Sequence, residues 1–476
     1  MRYDAIDSQL FVANRKRLTE SLLANSLAVV NANDVLPTNA DGTLPQVANA
    51  DLFYLTGIEQ EQSILVLYPD ADDEKHREIL FLREPTEELE LWDGHKLTKD
   101  EARATSGIQE IHWLSEFPRL FHRLMCESEH VYLNSNEHKR AVIEVECREA
   151  RFVAETIRCY PLHDYRRLAP IMHQLRAVKS AAELALIRKA CEITERGFRR
   201  VLKFTHPGVR ECEIEAEYAY EFIRAGGRFA YTPIIAGGAN ACSLHYIANS
   251  KACRKGDLLL LDVGAAYANY NADLTRTIPI SGRFTPRQKQ VYRAVLRVLR
   301  ECVKGLVPGK KPKDWQKEAE QIMEKELVDL GLLSMRQIKG QDPEKPAFKQ
   351  YFMHGVGHPL GLDVHDVALT TQPIQAGWVM TVEPGIYIRK EGFAVRLENN
   401  ILISERGPVD LMSNVPIEPD EIERLMKHSS KSGKSSKTPN GSHDGNGNGN
   451  GETASRRLTR IAKGGSPQRE QLVRTA

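Results

Sequence analysis

Leu258-LLLLDVGAAYANYNADLTRT-Thr277 runs four leucines into one aspartate, Asp262, and reaches a second, Asp273, eleven residues later. Leu258–Leu261 reads as a fully buried strand ending at Asp262, and 274–280 reads as the strand that returns. Gly264, Asn269 and Asn271 supply turn residues between them, so the expected object is a hairpin with a long loop. An acid at the end of an apolar run must be paired, hydrogen-bonded or metal-bound, or else it protonates. Two such acids facing each other call for a cation. The competing reading, a strand cap and a solvated turn, is open until the rest of the chain is read.

Further acids and histidines of the same kind follow. FMHGVGHPLGLDVHD carries His354, His358 and His365, TVEPGIYI carries Glu383, and VRLENN carries Glu398. The spacing of His354 and His358 superficially matches a zinc-protease helix. Gly355 and Gly357 between them, Pro359 directly after and the lack of an intervening glutamate argue against a helix and against that mechanism. The glycines imply close backbone approach instead. Glu383 ends the apolar run WVMTVE before Pro384-Gly385, much as Asp262 ends its own. In FAVRLENNILI, strand alternation puts Arg396 and Glu398 on one face. Four carboxylates around one divalent ion leave a charge of about −2 in a buried site, and a second ion removes it. A dinuclear centre is expected. Oxygen-rich ligands with one imidazole suit Mn²⁺ best, with Co²⁺, Zn²⁺ and Fe²⁺ chemically admissible.

Outward from this core the chain divides into three. Residues 1–170 alternate helix-like and strand-like segments: a helix around 11–24, then SLAVVNA, QSILVLYP, EILFL and VYLN, as in a small α/β domain. Within it, Asn49–Gly57 (NADLFYLTG) reads as a loop holding Asp51, either lining a pocket or packed on its own domain. A strand-poor, Arg-rich passage around CYPLHDYRRLAPIMHQLRAVKS leads into 171–427. There Ser180 and Glu183 form a capping box ahead of an apolar stripe, and a second helix follows Pro207-Gly208. Thr285, Pro286 and Gln288 start another helix, and Pro308-Gly309 precedes one more. Helix, Pro-Gly, helix, strands occurs twice, which points to a duplicated α+β unit with the acids where the halves meet. Residues 428–476, rich in Gly, Asn, Ser and Lys, read as a disordered basic tail: a solubilising extension, or a weak contact for an anionic partner.

With 41% hydrophobic and 27% charged residues and a formal net charge of +1, the composition gives no electrostatic argument for nucleic acid or an anionic membrane. No apolar run of about 18 residues and no signal-peptide core stand out, so a cytoplasmic protein is expected. The eight cysteines form no CxxC pair and read as reduced thiols.

The set Asp262, Asp273, His358, Glu383 and Glu398, inside LDVGA, NADLTRT, HGVGHPLGLDVHD, EPGIY and VRLEN, resembles the metal site of the pita-bread metallopeptidases (family M24B). The HGVGHPLGLDVHD form and the preceding NADLFYLTG are most similar to the aminopeptidase P branch, over about residues 5–425. The resemblance implies an α+β fold: a C-terminal pita-bread catalytic domain behind an N-terminal α/β domain. It implies hydrolysis of the X-Pro bond, with release of the N-terminal residue from peptides that have proline second. An X-Pro dipeptidase acting on dipeptides and a non-catalytic pita-bread interaction protein are the alternatives. It further implies that Asp262 and Glu398 bridge or chelate two ions, that Asp273 and His358 complete the coordination, and that Glu383 binds metal while shuttling a proton. Spacing does not say which ligand bridges. His245 (in NACSLHY) and His365 resemble the family's substrate and transition-state histidines. His354 and Arg396 resemble contacts to the proline side or to the ligands, and Tyr231 (in FAYTP) a residue that supports them. Family members are commonly homo-dimers or tetramers.

Overall fold

The computed structural model describes residues 2–142 and 144–429. The tail expected over 428–476 therefore lies outside the described residues, apart from the end of helix Pro419–Ser429. The first domain is built on a six-stranded mixed sheet in the order Glu110–Trp113, Glu78–Leu82, Ile64–Leu67, Ser26–Asn31, His130–Leu133, Asp164–Arg167. Its central strand, Ser26–Asn31, is buried along its whole length. It pairs antiparallel to Ile64–Leu67 and parallel to His130–Leu133. The first helix, Gln9–Thr19, stops short of the expected end, because Asn25 turns the chain into the sheet at φ 56°.

Two passages differ from the expectation. Asn49–Gly57 is a helix, Ala50–Thr56, not a loop: the Asn49 side chain accepts from the N–H groups of Asp51 and Leu52, and Gly57 closes it in the left-handed region. Its residues from Leu52 to Thr56 are buried all round, which erases the helical period. The Arg-rich passage holds the sixth strand, Asp164–Arg167, and the helix Ala169–Ala177. That strand is a short, polar edge, for which alternation gives no signal.

The second half shows the repeat. Helix Ala181–Phe204 starts at the Ser180/Glu183 capping box and helix Pro286–Lys304 at the Thr285/Gln288 box. Each is followed by a Pro-Gly turn, with Gly208 at φ 95° and Gly309 at φ 87°. The N–H of Gly208 donates to Cys253 O at 2.8 Å and that of Gly309 to Ile374 O at 2.9 Å. Each acceptor lies the same distance along the chain ahead of the strand that carries an acid, Leu258–Asp262 in one half and Val379–Val382, running into Glu383, in the other. Asp262 and Glu383 thus occupy matching positions. Second helices Glu211–Arg224 and Pro312–Asp329 complete the halves.

The leucine run is the central strand of a three-stranded sheet, between Ile234–Gly237 and Thr275–Pro279, with Asp262 opposite Thr275. All four leucines are buried, as a strand covered on both faces requires. The hairpin loop differs in detail from the expectation. A small hairpin, Ala265–Tyr267 with Tyr270–Asn271, fills it, and its turn residues are Ala268 and Asn269, both at positive φ. Gly264 is there for close approach: a Cβ would stand 1.8 Å from Ala272 O. Asn271 lies in a strand and donates through Nδ2 to the carbonyls of Gly361 and Leu362 at 3.0 and 2.8 Å. Nor is FAVRLENNILI one strand. Phe393–Arg396 pairs with Gly385–Ile388, Asn399–Ser404 pairs with Val379–Val382, and the change of partner falls at Leu397–Glu398. Among the described residues no helix is long and apolar enough to cross a membrane.

Candidate metal centre

The HGVGH segment is extended, not helical, and lies along the strand that leads to Glu383. Thr381 N–H donates to His358 O at 2.9 Å, and Glu383 N–H donates to Val356 O at 2.8 Å. Gly357 permits this, since a Cβ there would lie 2.1 Å from Thr381 O. His358 and Glu383 are thereby fixed on adjacent backbone. Asp273 is held by Asn400, whose Oδ1 accepts from Asp273 N–H at 3.1 Å and whose Nδ2 donates to Asp273 O at 2.6 Å. Fully buried Arg276 donates to Glu398 O at 2.7 Å, and Glu398 N–H donates to Thr275 O. Asp273, Glu383 and Glu398 are therefore placed through their backbones.

Asp273, His358 and Glu398 bring one ligand atom each within 4.8 Å of one another. His358 Nε2 is 3.6 Å from Asp273 Oδ2 and 3.7 Å from Glu383 Oε1, too far for hydrogen bonds and right for atoms that share a cation. His358 Nδ1 lies 2.9 Å from Pro359 O, so Nδ1 carries a proton and Nε2 is the nitrogen that faces Asp273 and Glu383, the orientation of a metal-binding imidazole. Glu398 Oε2 accepts from Thr275 Oγ1 at 2.7 Å, while the buried Oε1 has no partner among the described residues. Tyr231 OH lies 2.6 Å from Asp262 Oδ1 and 2.5 Å from Asp273 Oδ1. Arg396 is buried and bonded to Asp262, to Thr275 Oγ1 at 3.0 Å and to Tyr387 OH at 2.9 Å.

The electrostatics agree with the geometry. Burial, followed by the charges of Asp273, Glu383 and Asp262, raises Glu398 well above the usual carboxylate range. Glu383 is pushed up to about 7, by burial first and then by Asp273 and Asp262, against the opposing pull of His358 and Arg396. Asp262 is raised by burial and Asp273 although Arg396 opposes it. An unpartnered buried oxygen, an imidazole nitrogen aimed among carboxylates and carboxylates held above their ordinary range are what a ligand set for divalent cations presents.

The remaining sequence-derived candidates surround this cluster. His354 Nδ1 lies 2.7 Å from Gly355 O and its Nε2 2.8 Å from Tyr387 OH, so Arg396, Tyr387 and His354 form a continuous chain. Burial, and next Arg396, push His354 down to about 4. His365 stacks on His358 with ring centroids 3.9 Å apart. Burial, then His358 and Arg140, push it down to about 3. His245 shares a cleft of about 710 Å³ with His365 and Arg140. Sequence reasoning missed Thr275, Tyr387 and Asn400. Tyr387 and Asn400 stand two or four residues from motif acids at strand positions, and the second asparagine of VRLENN was the one signal available.

A cluster of carboxylates and histidine on a duplicated α+β unit defines a metallohydrolase, and comparison with known proteins makes that class specific. Residues 185–405 match metallopeptidase family M24, and residues 11–132 match the aminopeptidase P N-terminal domain. The chain is 33% identical to the Xaa-Pro aminopeptidase of Escherichia coli strain K12 over 88% of its own length and 98% of that protein. It is 34% identical to the Xaa-Pro aminopeptidase of Haemophilus influenzae, over 87% and 96% respectively. Zinc-substituted E. coli aminopeptidase P in complex with product superposes with a TM-score of 0.79 at 32% identity, over 90% of this chain and 99% of that one. The chain belongs to the aminopeptidase P branch of metallopeptidase family M24, and is a hydrolase that uses divalent metal.

Proposed function

We propose that the chain is an X-Pro aminopeptidase, releasing the N-terminal residue from peptides with proline at position 2. The observation that carries this reading is the Asp273, His358 and Glu398 cluster, completed by Asp262 and Glu383, on a chain similar over nearly its whole length to Xaa-Pro aminopeptidases. Asp262, Asp273, His358, Glu383 and Glu398 would hold two divalent ions, with Mn²⁺ the best match to an oxygen-rich set. When bound, the ions supply Lewis acidity toward the scissile carbonyl and lower the pKa of water. Glu383, at a strand end 3.7 Å from His358 and 3.9 Å from His354, is the group to take up a proton and pass it to the proline nitrogen, which must be protonated as it leaves. His365 and His245 line the cleft as hydrogen-bonding groups for the substrate. Arg396 holds Asp262 and, through Tyr387, His354, so its guanidinium serves the ligands rather than the peptide.

The test is a length series of X-Pro peptides assayed with Mn²⁺. Release of Arg from Arg-Pro-Pro is expected, with a loss of about 10³-fold or more in Asp262→Ala and His358→Ala. Activity that survives both changes would refute this ligand assignment. Preference for Gly-Pro over Gly-Pro-Pro would make the enzyme a dipeptidase.

A further inference from the structure

His365 is held from the N-terminal domain on two sides. Arg140 brings Nη1 to 2.9 Å from His365 Nδ1. The carboxylate of the neighbouring Asp366 is held by a buried charged chain, and its N–H donates to Pro359 O at 2.9 Å. Arg176 donates to Asp51 Oδ1 at 2.8 Å and to Asp366 Oδ1 at 2.5 Å, Lys179 donates to Asp366 Oδ2 at 2.9 Å, and Asn134 donates to Asp51 Oδ2 at 3.0 Å. Arg176, Lys179 and Asp366 are all buried. Asp51 and Asn134 belong to the first domain, which supplies none of the five candidate ligands.

A guanidinium has donors and no acceptor. At 2.9 Å from Arg140, His365 Nδ1 must therefore present its lone pair, and the neutral ring carries its proton on Nε2. Among the described residues Nε2 has no hydrogen-bond partner. A histidine with a free Nε2–H, stacked on a candidate ligand and lining the cleft, is a donor for a carbonyl oxygen. Without Arg140 the ring is free to place its proton on either nitrogen, and half the productive constraint is gone.

We infer that Arg140 is a positioning residue that fixes the Nε2–H tautomer of His365, and that the Asp51–Arg176–Asp366 chain holds the backbone on which that ring stands. The N-terminal domain thus sets a substrate hydrogen-bond donor in a catalytic domain to which it gives no ligand. This rests on the X-Pro peptidase reading for what the donor binds, but not for the tautomer itself.

The test uses the full chain with ¹⁵N-labelled histidine, the His365 signals being identified by their loss in His365→Ala. The wild type should show an unprotonated Nδ1 and a protonated Nε2. Arg140→Ala should shift His365 toward a mixture of tautomers, and Arg140→Lys, which keeps a donor, should restore the wild-type pattern. With Arg-Pro-Pro and Mn²⁺, Arg140→Ala and Asp51→Asn should each lower kcat about 10-fold with KM within about twofold, and neither should have any further effect in the His365→Ala background. An unchanged tautomer in Arg140→Ala, or an equal loss of kcat with and without His365, would overturn the inference. A tautomer shift in Arg140→Ala, together with a wild type that cleaves no X-Pro peptide, would sink the substrate reading and leave the positioning intact.

Discussion

Two buried charged clusters flank the turn from His358 to Asp366, and they balance their charge differently. In one, Asp51, Asp363 and Asp366 surround Arg176 and Lys179, and each carboxylate lies within 3 Å of a cation. Burial raises Asp366, but Lys179 and Arg176 overcome it and hold that carboxyl below its usual range. In the other, Asp262, Asp273, Glu383 and Glu398 share Arg396 and His358, Glu398 keeps an unpartnered oxygen, and Glu383 and Glu398 are pushed up. The first cluster sets two cations against its three acids and leaves no buried carboxylate oxygen unpartnered among the described residues, so it serves as a strut, including for the backbone beside His365. The second sets four acids against Arg396 and His358 and leaves a Glu398 oxygen unpartnered, and that shortfall of positive charge separates a site from a strut.

The contrast makes removal of one carboxylate opposite in sign in the two places, and this is the largest effect expected. Asp366→Asn leaves Lys179 buried without an acid and should cost about 3–5 kcal/mol of stability. Glu398→Gln should abolish turnover while raising the melting temperature of metal-free protein, because it removes an acid from a group that Arg396 and His358 neutralise only in part. Thermal melts of both variants in the presence of a chelator decide the point. Destabilisation by Glu398→Gln comparable to that by Asp366→Asn would mean that the centre is as self-sufficient as the strut.

A smaller effect lies in the pH dependence. In metal-free protein Glu383 titrates at about 7 rather than at its ordinary 4.5, so the folded chain keeps a proton that the unfolded chain has already released. The stability from that proton is complete below about pH 4.5 and is lost as pH rises through 7. His354, pushed down to about 4 from 6.5, acts in the other direction: its contribution is present above 6.5 and is lost as pH falls through 4. Glu149, buried in the first domain and raised to about 7, is common to metal-free and metal-loaded protein. The difference in melting temperature between the two forms isolates the centre. It should grow from pH 5 to 7 and level off above, and a difference independent of pH would show that protons and cations do not compete there.

The two clusters were also unequally legible in the sequence. Each acid of the centre stands at the end of an apolar run or inside a short motif, so LLLLD, WVMTVE and VRLENN pointed to it residue by residue. Arg176 and Asp366 are separated by 190 residues and share no pattern, because a buried ion pair is specified by tertiary packing alone. The same division runs through the fold. The capping boxes at Ser180 and Thr285 were legible because capping is a local hydrogen bond. The helix Ala50–Thr56 was not, since burial on every side removes the amphipathic period. Gly264 and Asn271 looked like turn residues, but they are required by Ala272 and by the Gly361–Leu362 carbonyls, neighbours that no local rule could supply. Arg396 and Glu398 do meet at one site, although a change of strand partner rather than alternation brings them there.

The finest distinction between the clusters rests on Tyr231. Its hydroxyl has one proton and lies between two carboxylate oxygens, Asp262 Oδ1 and Asp273 Oδ1, so it can satisfy one of them at a time. In metal-free protein that proton is among the few things that offset the repulsion between Asp262 and Asp273. Cations held by the same carboxylates offset it far more strongly. Tyr231→Phe should therefore cost about 1–2 kcal/mol in metal-free protein and less when Mn²⁺ is bound, as read from paired melts. Equal losses in the two forms would assign the hydroxyl an ordinary packing role, as in a cluster whose charge is already balanced.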